Sequence, residues 1–573
     1  MSAELILAAI GAADLCLKYG KELIEACRAY KSAINDIRDK ALIVEAIWSR
    51  TAIQIEFSQR VLKTQALPED HCRIHIDVFE TLKNKLMTVV RKLESVAIHG
   101  KDKPMRRVLG KMKYILLRDV FEAATSDIER WHRIFDPTWF LVLRVGDTLI
   151  DSELDVKRPS SSLSATSSLR ADPSQALTTA RNLRGSLSSG PLIETHVSLP
   201  EGGLDWEATQ TIAFSSTRII QRKDRKGNNK AFAVDTIPCD PNLNLAAARA
   251  DAESLAKKLK HVDPTMFGIL SCHGLVKRKD RTTGRLASIH LIFNLPSPPP
   301  QQQQPSPSLP TSLRRQLLQP PTASLAHILN IARQLASAVS LIHTCEFVHK
   351  NIRPETILVF PGPETDVGLG SAYILGFDSF RSVNFQTLRR GDAASHRNLY
   401  RHPLRQGIRA HDSYVMQHDV YSLGVCLLEL GLWESLVCYD YSPQEQEQEQ
   451  EYSVAAEFQE KTEEEREGER EAVAPLPSKA LGLLPEDLDL DNEQGSPPSF
   501  RIKDHLVMLA RTRLPLRMGD KYAAVVRTCL ECLDADNEDF TGDEAEGMQD
   551  EDGVLVGARF IEKVIFRLDE ISL

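Results

Sequence analysis

The first 150 of the 573 residues contain little internal proline or glycine, so little interrupts long helical periodicity there. Between Trp206 and Lys230 only Gly227 is available, so a G-x-G-x-x-G run is missing and backbone cannot pack closely over phosphate groups. The ten cysteines are scattered; Cys529 and Cys532 form one C-x-x-C pair with no histidine cluster beside it. That pair sits on a helical stripe, which favours core packing over zinc, and no metal site is expected. The opening residues are apolar but interrupted by Glu4, Asp14 and Lys18, whereas a membrane-spanning helix needs about 20 nearly uninterrupted apolar residues. No basic region precedes this run, as a secretory signal would require. Unpaired cysteines without a signal segment imply a reducing, cytoplasmic setting. The basic stretch of the chain lacks interleaved aromatics and the net charge is −9, which argues against nucleic acid as a partner.

What is present begins with His349-Lys350-Asn351-Ile352-Arg353-Pro354-Glu355-Thr356-Ile357. Upstream, Ile328, Ile331, Leu335, Val339 and Ile342 recur at helical spacing as far as His343. Downstream come the apolar Ala372-Tyr373-Ile374-Leu375, then Gly376-Phe377-Asp378, Tyr400-Arg401-His402-Pro403, and His418-Asp419-Val420-Tyr421-Ser422-Leu423-Gly424-Val425. Together, in this order, these motifs resemble the C-lobe of a protein kinase. In that family the loop reads H-R-D-L-x-x-x-N, with the aspartate as base and the asparagine on magnesium. Here those places hold Asn351 and Thr356, and an amide has no useful proton affinity near neutral pH. The resemblance also implies structural roles for Asp419, which would brace the loop backbone, and for Gly424. His349 and Arg353 occupy the remaining degenerate catalytic places.

Ala231 to Ile237 reads as the strand that carries the phosphate-binding lysine in the family, and Asp235 stands in the lysine's place. Lys226 and Lys230 are the nearby cations available to replace it. Ala246 to Lys260 reads as a helix, with Glu253 where the family places its glutamate; lacking a lysine partner, it is expected to be a solvated charge. Phe267 to Leu270 and Ala287 to Pro296 read as two strands entering a hinge. The family's magnesium-binding aspartate is replaced by Gly376. Asp378 lies two residues along, about 6–7 Å at strand rise, too far to substitute for a ligand needing about 2.1 Å contact. It is expected to cap a turn or pair with Arg381. Loss of base, metal ligands, phosphate lysine and glycine loop together points to a pseudokinase: no cofactor is expected, and residual ATP binding is the weaker alternative.

In the first 150 residues, apolar residues keep i, i+3, i+4 spacing through Leu5, Ala9, Ala13 and Leu17 to Leu23, Cys27 and Tyr30. A second stripe runs from Ile37 to Val61, stopped near Leu67-Pro68; a third from His71 to Ile98; a fourth from Val120 to Phe135, ended by Asp136-Pro137. This favours an up-and-down helical bundle. From Lys83 to Arg118 eleven Lys and Arg face two Asp and Glu, a polybasic stretch of the kind that binds anionic lipid at about 1 kcal/mol per residue. Its centre is Lys101, Lys103, Arg106, Arg107, Lys111 and Lys113. Leu5 to Cys16, Lys18 to Lys21, Val44 to Arg50 and Phe57 to Leu62 resemble the fungal HeLo and HeLo-like domains of the prion-inhibition and propagation type. That resemblance implies a helical bundle that, in several members, acts in programmed cell death by inserting its N-terminal helix into membranes.

The expected fold class is therefore multidomain: an N-terminal α-helical bundle followed by an α+β, bilobal kinase-like fold. The division is bundle 1–150, Ser-rich linker 151–203, N-lobe 204–296, Pro/Gln-rich insertion 297–323, C-lobe 324–440, acidic insertion 441–498 and helical end 499–573. Residues 444–495 carry seventeen Asp and Glu against four Lys and Arg, too charged to bury a core. The expected function is signalling or cell death, with the pseudokinase docking a protein partner and controlling a bundle recruited to anionic membrane. An atypical kinase and a cytosolic scaffold are the alternatives. The oligomeric state, a homo-oligomer included, is open.

Overall fold

The computed structural model describes residues 3–28, 35–64, 67, 69–98, 106–145, 150, 180–181, 184–185, 196–223, 229–239, 245–280, 283–296, 309–321, 323–361, 369–382, 395–406, 413–439, 476–478, 482, 497–540 and 554–572. Most of the expected linker, residues 297–308 of the Pro/Gln-rich stretch and residues 440–475 lie outside the described residues.

Four long helices form the N-terminal region: α1 (Ala3–Arg28), α2 (Asn35–Lys63), α3 (Glu69–Ile98) and α4 (Arg106–Val145). Each buries the apolar stripe its sequence carries; on α1 Ala9, Ala13, Cys16 and Leu23 are fully buried. Chain directions follow from side-chain pairs. Asp14–Gln59 at 2.6 Å and Arg28–Glu45 at 3.6 Å make α1 and α2 antiparallel. Lys40–Glu122 and Gln54–Asp136, both at 2.8 Å, make α2 and α4 parallel neighbours. The bundle thus departs from a simple up-and-down ring: α1 lies beside α3 and α2 beside α4, so the α2–α3 connection crosses the bundle, with Leu67 buried on the way. The fourth helix also overruns its expected end at Asp136-Pro137, continuing through Pro137 to Val145. Proline forfeits one helical hydrogen bond. Trp139, Phe140, Leu141, Val142 and Leu143 are all buried beyond it, and their burial outweighs that loss at about 1.5–3 kcal/mol per side chain.

Strands dominate the next region. β1 (Asp205–Thr211), β2 (Arg218–Lys223), β3 (Asn229–Pro238), β4 (Cys272–Lys279) and β5 (Leu286–Asn294) form an antiparallel sheet in the order β1-β2-β3-β5-β4. Helix α5 (Leu245–Leu259) joins β3 to β4 and buries Ala252, Leu255 and Leu259. Alternation along β3 splits its side chains: Phe232 and Val234 join Ile220, Val276 and Ile292, while Ala233 and Ile237 face the main core. The expected strand at Phe267 to Leu270 is instead the end of a short helix, Pro264–Phe267, followed by Gly268 at φ +61°. A Cβ there would stand 2.5 Å from the Gln334 carbonyl oxygen, so the chain turns where a strand would have to run straight.

A mostly helical region completes the fold. Helix α6 (Leu325–Thr344) is long and apolar enough to cross a membrane, yet most of it is buried in the core. Ser324 caps its N-terminus by accepting from the His327 N–H. Helix α7 (Met416–Leu432) is buried along its whole length. A Cβ on Gly424 would lie 2.7 Å from Cys529 Cβ, so only glycine admits the neighbouring helix Asp520–Leu530 at this crossing. Cys529 and Cys532 are buried, in keeping with a packing role.

Candidate functional site

The cleft between the five-stranded sheet and the helical region is built from the loop at 349–356, the turn Gly376-Phe377-Asp378 and strand β3. Asp419, at the start of α7, holds the loop. Its Oδ2 accepts the His349 N–H at 2.7 Å and its Oδ1 accepts the Lys350 N–H at 2.9 Å. Tyr414 Oη donates to Oδ1 at 2.7 Å, and His343 Nε2 lies 3.2 Å from Oδ2. Burial alone would raise this carboxyl, but the bonds from His343 and Tyr414 hold it below its ordinary value. Such anchoring keeps Lys350 at φ +67°, a backbone state that a lysine adopts only under external constraint. Burial lowers the Lys350 amine to about 7, with Arg381, Arg405 and Arg401 adding to the effect.

The side chains at the expected catalytic places are bonded to one another. Asn351 Nδ2 donates to Asp378 Oδ1 at 2.8 Å and to the Gly376 carbonyl at 3.3 Å, while its Oδ1 accepts Arg353 Nε at 2.8 Å. Thr356 Oγ1 donates to the carbonyls of Asn351 and Arg353 at 2.8 and 2.9 Å. Gly376 has φ +81°, and a Cβ on it would fall 2.3 Å from Thr356 Cγ2. A side chain at 376 is therefore excluded both by backbone conformation and by the threonine methyl. Asp378, expected to cap a turn or pair with Arg381, instead takes the Asn351 amide, while Arg381 donates to the Tyr414 carbonyl at 2.7 Å. The turn folds it back to the loop, which a count of strand rises did not anticipate.

Asp235 carries the most unusual environment. It is buried, its Oδ2 accepts the N–H groups of Gly376 and Phe377 at 2.6 and 3.2 Å, and Thr217 Oγ1 donates to its Oδ1 at 2.5 Å. Burial raises this carboxyl to about 6, against the three hydrogen bonds that lower it and with Asp378 nearby adding to the rise. Lys230 does not approach it: exposed near the start of β3, it donates to Asn294 at 3.1 Å. Lys226 lies outside the described residues. Glu253, expected to be solvated, pairs with Lys277 of β4 at 2.5 Å and with Arg249 at 3.0 Å. His349 is fully buried with its imidazole pKa lowered by burial, and its ring packs 4.7 Å from that of Phe377. Among the described residues no cluster of His, Cys, Asp and Glu is arranged to hold a metal ion.

One network behind the loop had no counterpart in the sequence reading. Arg314, fully buried, donates Nε to Glu355 at 3.0 Å and Nη1 to Glu429 at 2.8 Å, with Ser435 and Tyr400 also bonded to it. Burial opposes its charge, but Glu355 and Glu429 hold its pKa well above normal. Glu429 is itself pushed up by burial, whereas Glu355, next to both Arg314 and Arg353, is lowered. Glu355 and Tyr400 belong to motifs that the sequence marks; Arg314 lies within the stretch 297–323 read as a Pro/Gln-rich insertion, with nothing to single it out, yet it is buried in the core.

Of the basic patch, Lys101 and Lys103 lie outside the described residues, and Arg106, Arg107, Lys111 and Lys113 are backbone positions in the first turns of α4. The outward face of α1 exposes Leu7 and Leu15, 68% and 40% accessible. No protein-family model matches the chain, and no curated protein matches it either.

Proposed function

We propose that the strand-bearing and C-terminal helical regions together are a catalytically inert protein kinase-like domain, a pseudokinase, and that it controls a HeLo-like helical bundle acting at membranes. The observation that carries the inert reading is the closed set of bonds in the cleft. Asn351, Thr356 and Asp378 satisfy one another, Gly376 has no room for a side chain, and Asp235 fills the place where a phosphate would need a cation. An enzyme would have to break this set before a nucleotide and magnesium could enter. The sheet order β1-β2-β3-β5-β4 with α5 between β3 and β4, and the bracing of the loop by Asp419, support the kinase-like reading. Thermal-shift measurement with ATP and magnesium tests it. No shift is expected; a magnesium-dependent shift abolished by Asp378→Ala would establish an atypical kinase instead.

For the bundle, the exposed Leu7 and Leu15 on α1 support engagement of a surface from outside, and the basic residues that open α4 support an anionic one. Leakage from anionic vesicles, measured with the full chain under conditions that loosen the bundle, is the direct assay. Absence of vesicle binding would leave a cytosolic scaffold as the better reading.

A further inference from the structure

The C-terminal helix touches both the support of the 349–351 loop and the bundle, and α6 lies beside it against the same α4. The C-terminal helix runs as Val554–Phe560, widens to a π-helix over Ile561–Phe566, and closes with Arg567–Asp569. Near its start, Val556 is buried against Val348, Tyr414 and Met416. Val348 directly precedes His349, and Tyr414 is bonded to Asp419, so this contact sits on the support of the loop itself. The Phe560 ring lies 6.3 Å from that of His343, another partner of Asp419.

Its far end is held by charge. Asp569 is buried, and its carboxylate takes Arg130 at 2.6 Å and Arg133 at 3.3 Å from α4, and Arg333 at 3.5 Å from α6. Arg130 also donates to the Asp569 carbonyl. Arg333 donates to the carbonyls of Leu568, Asp569 and Ile571 at 3.2, 3.2 and 2.8 Å, satisfying the end of the helix. One carboxylate thus reconciles three guanidinium groups on two helices that belong to different regions. Without it, Arg130 and Arg133 of the bundle would face Arg333 as like charges in a partly buried seam. Loss of Asp569 would therefore push the regions apart in addition to removing an attraction. Between the two contacts lies the π-helical segment, a wider and weaker turn of the kind found where helices shift register.

We propose that the C-terminal helix is a latch that couples the support of the 349–351 loop to the bundle, with Asp569 as its release point. Its use in controlling a membrane-active bundle rests on the function proposed above; the latch itself does not.

Hydrogen–deuterium exchange on the full chain tests it. Asp569→Lys is expected to speed exchange in residues 117–145 by roughly tenfold or more, with Leu286–Asn294 of β5 unchanged. Arg130→Gln with Arg133→Gln, which leaves the Asp569–Arg333 pair in place, is expected to loosen the same residues. Adding Arg130→Glu and Arg133→Glu to Asp569→Lys is expected to restore slow exchange. Unchanged exchange at 117–145 in both loosening variants would overturn the proposal. So would equal acceleration in Leu286–Asn294, or failure of the charge-reversed set to restore protection. Vesicle leakage on the same preparations separates the two ideas. Loosening without leakage would keep the latch and sink the membrane reading.

Discussion

In the bundle, His71 and His75 are buried with Nδ1 and Nε2 of the first and Nε2 of the second bonded to nothing among the described residues, and the His75 ring packs on those of Phe79 and Phe135. In the cleft, Asn351, Thr356, Asp235 and Arg314 each hold two or more directed hydrogen bonds. Apolar burial is non-directional and roughly proportional to area, so the apolar stripes of the bundle tolerate repacking, while Asp136 with Arg50 and Gln54 fixes the register of α2 on α4. A hydrogen-bonded buried network does not tolerate repacking, because each lost partner leaves a polar group stranded. The difference is one of degree, since the bundle also gathers Arg50 and Gln54 on the buried Asp136, and His349, His402 and His418 each bury an Nε2 unbonded among the described residues in the other region.

The sharpest way to break that comparison is at Arg314. Arg314→Ala strands Glu355 and Glu429 in the interior, and a loss of about 3–5 kcal/mol is expected by urea unfolding. A loss under 1 kcal/mol would mean that the network is not what holds this region.

Acid should act on the bundle next. Burial lowers His71 to about 3 and His75 to about 4, so both lie below the ordinary value of about 6.5. The unfolded chain therefore takes up protons first, and stability is lost as pH falls below about 6.5. Each histidine contributes a slope of about 1.4 kcal/mol per pH unit. His402 and His418, lowered to about 3 in the helical region, share this behaviour. The measure is accordingly the difference between the wild type and His71→Leu/His75→Leu in melting temperature at pH 7 and pH 5.5. A double variant as acid-sensitive as the wild type would show that the bundle histidines carry none of the effect.

Asp235 should show the opposite sign. Its folded value of about 6 lies above the ordinary 3.8, so its contribution is fully present below pH 4 and is lost as pH rises through 6. Asp235→Ala, which strands two N–H groups, should cost about 1–3 kcal/mol in chemical denaturation. Asp235→Asn, which keeps an acceptor and removes the charge, should flatten the pH dependence of the cleft with little loss. The smallest effect is expected at Leu7. Leu7→Ser should leave stability within about 0.5 kcal/mol, since that side chain is already in water, yet lower vesicle leakage if α1 presents this face to membranes.

Much of this was legible in the residues. The helices of the bundle, strand β3 and helices α5 and α6 follow from periodicity, while Asn351, Thr356, Gly376 and Asp235 were singled out by the resemblance to kinase motifs. What escaped depended on contacts between distant segments. Pro137 looked like a stop because local propensity penalises it, whereas buried residues beyond it carry the helix on. Phe267 to Leu270 looked like a strand because apolar runs of that length are ambiguous, and Gly268 decided otherwise. Glu253, on helix α5, looked solvated because its partner, Lys277, comes from strand β4.

The sequence by itself determined that the chain has a helical N-terminal region and a later one mixing strands with helices, because periodicities of 3.6 and 2 are written in neighbouring residues. It also determined which side chains stand at the places that the kinase resemblance marks, since a residue's identity needs no coordinates. Only the tertiary structure decided that Asp235 closes on Gly376 and Phe377, that Arg314 gathers two glutamates, and that Asp569 binds three arginines. Those pairs join residues as far apart as Arg130 and Asp569, and the strength of a charge or hydrogen bond depends on distance and burial, which the order of residues does not contain.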